Sequence, residues 1–196
     1  MSRGLALVAM LVGLAGCHAL STQPVSGPDA QARSALEALD TWHATGRVAV
    51  RAGSDGFSAS FDWQEAAGHG ELGVRGPFGT GAVHISRSAE RIRIESGNGS
   101  PLEVAAPFAA LEPELVARLG FPLPLDPLRY WVLGVPAPGL PAEGAGAEFR
   151  QGGWQVSVGE FAPVAGAPGP LPARLTLTRD ATRIHVIVDR WRIGGP

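Results

Sequence analysis

One thiol dominates the chemistry available to this chain. Cys17 is the only cysteine among 196 residues, and it directly follows Leu14-Ala15-Gly16. A lone cysteine cannot close an internal disulfide, so it stands as a nucleophile or as a site of modification. The other reactive side chains are not arranged for catalysis. His43, His69, His84 and His185 are scattered without metal-ligand spacing, and Ser58 and Ser60 have no sequence neighbour to activate them. There is no nucleophile elbow, no HExxH and no phosphate-binding glycine loop. These residues point away from an enzyme, call for no cofactor and offer no metal site. The formal charge is −2, all basic residues are arginine, and no basic patch suggests a nucleic-acid partner.

The surroundings of Cys17 give the thiol a purpose. Arg3 precedes an apolar run from Leu5 to Leu14, followed by the small residues Ala15 and Gly16. That order describes a secretory signal segment, too short to span a bilayer as a helix. With cysteine directly after Ala-Gly, the segment resembles a bacterial lipoprotein signal. The resemblance implies cleavage before Cys17 and acylation of its sulfur and new amino group. Several acyl chains hold a protein to a membrane stably, where one does so only marginally. In the proteobacterial sorting pattern, Asp after the cysteine favours inner-membrane retention. His18 at that place implies the outer membrane, with the protein facing the periplasm. The chain thus divides into a signal peptide (1–16), a flexible tether (17–27) and a single domain (28–196).

The elements of that domain follow from periodicity. Ala32, Ala35, Leu36, Leu39 and Trp42 recur at helical spacing, which predicts a helix over Pro28 to Ala44. From Gly46 the period is two. Phe57, Ala59, Phe61 and Trp63 share one strand face, and Ser58, Ser60 and Asp62 share the other. Leu72 and Val74, Val83 and Ile85, and Ile92 and Ile94 continue the pattern. Turn signals at Gly68, Gly76-Pro77 and Gly97-Asn98-Gly99 punctuate an antiparallel meander. Two short helices interrupt it, Pro113 to Leu119 and one capped by Asp126-Pro127. A Pro/Gly/Ala-rich loop runs from Val135 to Ala147. About four strands then close the chain around Trp154, Val156 and Val158, then Leu175 and Leu177, then Ile184, Val186 and Val188. The loop from Ala162 to Pro172, with four prolines, is expected to be exposed. So many antiparallel strands tend to curl or close, and their apolar face must be covered by helices or by a ligand.

An ordered set of short runs carries a family resemblance. It comprises Thr45 to Val50, Phe57 to Gln64, Gly76-Pro77-Phe78-Gly79, Gly120-Phe121-Pro122-Leu123-Pro124, Leu128-Arg129-Tyr130-Trp131-Val132-Leu133-Gly134, Gly153 to Val156 and Val188-Asp189-Arg190-Trp191. Together with the Cys17 motif, these resemble the LolB family, the outer-membrane lipoprotein receptors of the Lol pathway. The resemblance implies a mainly β fold with α, an open (half) antiparallel β-barrel whose helices form an internal lid. It implies that the chain accepts cargo lipoproteins from a soluble, LolA-like periplasmic carrier and inserts them into outer-membrane lipids, as a monomer. The alternative is a lipid-binding envelope sensor or scaffold lipoprotein that does not deliver cargo.

The implied task has a physical scale. A triacylated lipoprotein carries dozens of methylenes, and at ~0.8 kcal/mol each their exposure to water would cost on the order of tens of kcal/mol. An apolar concave face would shelter them without specificity for the attached protein. Candidate wall residues are Phe61, Trp63, Leu72, Val74, Ile92, Ile94, Trp131 and Trp154, although alternation alone does not separate a vacant interior from a filled core. Pro77, Phe78 and Gly79 form the candidate membrane-insertion loop. A β-turn with proline at its second corner would present Phe78 to water at the third, and the family carries an exposed apolar residue there. Arg47, Arg129 and Arg190, with Asp126 and Asp189 as nearby acids, read foremost as structural ion pairs, Arg129 alternatively as a contact for an acidic carrier surface.

Overall fold

The computed structural model describes residues 26–77, 81–97, 100–106, 111–119 and 121–194. Its framework is one sheet of eleven strands. Helix α1 (Ala30–Glu37) leads into β1 (Thr41–Ala52), β2 (Asp55–Ala66), β3 (His69–Arg75), β4 (Val83–Arg87), β5 (Arg91–Ser96) and β6 (Leu102–Ala105). Helices α2 (Leu111–Leu119) and α3 (Leu125–Trp131) follow. Strands β7 (Ala142–Ala145), β8 (Glu148–Gln151), β9 (Trp154–Ala162), β10 (Leu171–Arg179) and β11 (Thr182–Ile193) complete it. The spatial order is β6-β5-β4-β3-β2-β1-β11-β10-β9-β8-β7, and β6 and β7 remain separate edges. Every pairing is antiparallel. The sheet is therefore an open half-barrel, and the stretch holding α2 and α3 passes from one edge to the other.

Several local expectations are corrected. The first helix ends at Glu37, and Trp42 and Ala44 belong to β1. Their buried positions alternate, and β2 and β11 pair with them on both sides. The three-residue step from Leu39 to Trp42 only imitates helical spacing. Asp29 rather than Pro28 starts the helix, its carboxylate accepting the Ala32 N–H at 2.8 Å. Helix α3 begins at Leu125 after Pro124 and has no side-chain cap, so Asp126 lies in its first turn. Strand β7 lies inside the loop expected over Val135 to Ala147. All four of its residues are exposed, so no alternation announced it. The proline-rich loop is not simply exposed either: Val164 and Ala167 pack against the core, and Gly169 lies against Ala32 of α1. Of the expected Gly97-Asn98-Gly99 turn, Asn98 and Gly99 lie outside the described residues.

Two details fix the sheet and its cover. Gly46 sits where the register of β1 against β11 shifts, and a Cβ there would run into the Ile187 carbonyl and the Phe61 ring. The backbones approach too closely for any side chain. At the other site, Gln151 on β8 is 2% exposed and its amide is fully engaged. Its Oε1 accepts from Trp131 Nε1 at 2.8 Å and from the Ala137 N–H at 2.8 Å. Its Nε2 donates to the carbonyls of Ala137 and Leu140, both at 2.9 Å. One side chain thus ties α3 and the segment after it to the sheet. Trp131 also packs on Trp154, with ring centroids 6.4 Å apart. Gly134 turns the chain out of α3 at φ +78°.

Gly46→Ala should destabilise the fold by about 2 kcal/mol or more through forced separation of β1 and β11. Gln151→Leu, which strands two donors and two carbonyls in the interior, should cost about 3 kcal/mol or more. Urea titrations check both, with midpoints falling at nearly constant slope.

Candidate functional site

The period-two strands place apolar side chains on the inner face of the curl, and register sets them side by side. Phe61 faces Val74 and Trp63 faces Leu72 across β2 and β3; Leu72 then meets Ile85, and Val74 meets Val83, across β3 and β4. Val48 and Val50 of β1, Ile184 and Val186 of β11 and Leu175 of β10 extend this surface past the centre of the sheet. Opposite stand Leu128 of α3, Val132 after it, and Phe121 and Leu123 from the segment before α3. Pro122 and Pro124 keep that segment out of helix, so it runs as an irregular rim.

The two surfaces do not meet. Between them lies a cavity of about 590 Å³, within the ~300–1,000 Å³ range of small-ligand sites. No charged side chain lines it among the described residues, and Ser58 is the one residue there that bears a hydroxyl. A space so bounded favours apolar matter and gives hydrogen bonds little to recognise. At one end Phe57 remains 46% exposed, with its ring centroid 6.0 Å from that of Phe121, so an aromatic pair flanks the opening between sheet and lid.

The sequence candidates separate into two groups. Phe61, Trp63, Leu72 and Val74 border the cavity. Ile92, Ile94, Trp131 and Trp154 are buried within the packed core away from it. Pro77, Gly76 and Gly81 lie at the cavity's edge, while Phe78 and Gly79 lie outside the described residues, as does Cys17. The lid residues Phe121, Leu123, Leu128 and Val132 were not singled out as lining. Their signal is an apolar run broken by two prolines between short helices.

Charges are kept off the cavity wall. On the outer face Arg47 grips Asp189, with Nη2 donating to Oδ1 at 2.9 Å and Nε to Oδ2 at 3.2 Å. That hydrogen bonding holds the Asp189 carboxyl below the usual carboxylate range and raises Arg47. Arg129 is directed to Glu65 rather than Asp126, its Nε standing 3.7 Å from Oε2. Burial pushes the Asp126 carboxyl up, and the charge of Arg87 partly offsets this. Among the described residues no cluster of His, Cys, Asp or Glu could hold a metal, and no helix is long and apolar enough to cross a membrane.

Comparison with known proteins accords with this geometry. The family model described as outer membrane lipoprotein LolB matches residues 40–191. An outer-membrane lipoprotein LolB from Halorhodospira halophila is 33% identical, covering 94% of this chain and 92% of that protein. One from Alkalilimnicola ehrlichii is 31% identical, covering 98% and 99%. A solved LolA superfamily protein from Nitrosomonas europaea shares the fold at a TM-score of 0.50 and 10% identity, over 86% of this chain and 96% of that one. An open antiparallel sheet, a helical cover and an uncharged hollow between them thus occur in a sequence that matches this family almost end to end: the chain belongs to the LolB family of outer-membrane lipoproteins.

Proposed function

We propose that the protein is an outer-membrane receptor that takes lipoproteins from a soluble periplasmic carrier, shelters their acyl chains in the cavity and inserts them into the outer membrane. The observation that carries this reading is the charge-free hollow of about 590 Å³ between the curled sheet and α3. Acyl chains need only a dry apolar wall, and any cargo protein attached to them stays outside. Cys17, once acylated, would anchor the domain, with residues 17–27 as its tether. Transfer then needs no energy-consuming step. Cargo moves because the receptor binds acyl chains more tightly than the carrier does, and the bilayer more tightly still.

The turn at 76–81 has a place in this scheme. Its described ends, Gly76, Pro77 and Gly81, border the cavity. A loop that begins at the cavity edge is well placed to carry chains from cavity to bilayer, with Phe78 as the residue that enters the lipid.

The decisive experiment loads a lipoprotein onto its carrier, adds the purified full chain and liposomes, and follows where the cargo goes. Delivery to liposomes supports the reading; cargo held without delivery would make the protein a scaffold or sensor. Ala59→Phe places a ring in the cavity opposite Val48 and should weaken binding of a fluorescent fatty acid tenfold or more, a loss of ~1.4 kcal/mol. Thermal unfolding of that variant should change little, because the ring enters vacant space. Phe78→Glu should accept cargo at the wild-type level yet fail to deliver it to liposomes; undiminished delivery would remove Phe78 from the scheme.

A further inference from the structure

Charge is buried at the end of the cavity remote from Phe57. Glu65 lies eight residues further along β2, ~26 Å away on an extended strand, and its side chain is 1% exposed. The indole Nε1–H of Trp63, a cavity-wall residue, donates to its Oε1 at 3.0 Å. Arg87 of β4 donates to its Oε2 at 2.6 Å. Directly across on β3 stands Gly70, where a Cβ would collide with the carboxylate. The sheet thus keeps a place clear for this group.

The third partner comes from the lid. Arg129 of α3 directs Nε toward Oε2 at 3.7 Å, too long for a hydrogen bond, and that buried Nε makes none. Its Nη1 donates to the Tyr130 hydroxyl at 2.9 Å, and its Nη2 to the Leu39 carbonyl at 3.3 Å. The neighbouring Leu128 and nearby Val132 wall the cavity. Any displacement of α3 that widens the cavity therefore carries Arg129 away from Glu65.

We propose that Glu65 is the latch of the lid: through Arg129 it holds α3 over the cavity and sets how readily acyl chains enter and leave. The claim rests on the reading that acyl chains occupy this cavity. A buried carboxylate left without partners would be strongly unfavourable. Here Arg87 and the Trp63 indole stay with Glu65 when the helix moves, so opening never strands the anion. A charge attraction without a shared hydrogen bond weakens gradually with distance, which suits a contact that must open and reclose.

The test uses the full chain and three variants, read by amide hydrogen exchange and by stopped-flow with a fluorescent sixteen-carbon fatty acid. Arg129→Met should speed exchange of α3 amides about tenfold while those of β1 and β11 stay protected. Association and dissociation of the probe should both accelerate, more than their ratio changes. Arg129→Lys keeps the charge without the fork and should fall between wild type and Arg129→Met. Adding Glu65→Gln to Arg129→Met should speed α3 no further, since the contact is already gone. The latch is overturned if α3 exchange is unchanged in Arg129→Met, if β1 and β11 loosen equally, if Arg129→Lys matches Arg129→Met, or if α3 of the double variant exchanges faster than that of Arg129→Met. Failure of the wild-type chain to bind the fatty acid would instead sink the acyl-chain reading, while exchange still judges the latch.

Discussion

A sheet whose two edges never meet has an inner face that it cannot cover by itself. That face is apolar from β4 through β1 to β10, so water must be excluded by something laid across it. The chain supplies this between β6 and β7, where the path from one edge to the other has to cross the mouth of the curl. The cover is short and partly irregular. It is held at one side by Gln151 and Trp131 and at the other by Arg129, and it does not reach the sheet between these supports. The vacancy is thus a consequence of a small lid spanning a wide face.

Polarity is distributed to match. Ion pairs such as Arg47–Asp189, Arg91–Glu103 and Arg174–Glu160 lie on exposed positions of the strands. They interact with solvent as much as with each other, and such pairs add little to stability. Of the buried polar side chains among the described residues, the two least exposed, Glu65 and Gln151, sit instead at the attachments of α3. Gln151 by hydrogen bonds and Glu65 by its charge fix where the helix rests, a specificity that apolar packing alone does not provide.

The sheet was largely legible in the sequence because alternation reports burial directly. Phe57 to Trp63 announce β2, and Ile184 to Val188 announce β11. The end of α1 was not legible, because the three-residue step from Leu39 to Trp42 fits a helix, and only pairing with β2 and β11 places Trp42 in a strand. Strand β7 gave no signal, since Ala142 to Ala145 bury nothing. The site was half legible for a related reason. Alternation assigned Phe61 and Ile92 alike to the inner face, yet only the first borders the cavity, because what lies opposite is set by a distant segment. The anchoring roles of Glu65 and Gln151 depend on partners far along the chain, and neither residue stands out from its neighbours in sequence.

The middle of the sheet joins β1 to β11, and the Arg47–Asp189 pair there bridges 142 positions of sequence. On either side the strands follow one another as simple meanders. Each meander can form from neighbouring segments, but the seam between them requires the latest strand to find the earliest. Such non-local closure is slow. Until it happens, two half-sheets present bare central edges and uncovered grease, the kind of surface that recruits other strands. For a chain that emerges progressively through a membrane, assembly is therefore least protected just before its final strand arrives, and periplasmic folding helpers would matter most at that moment.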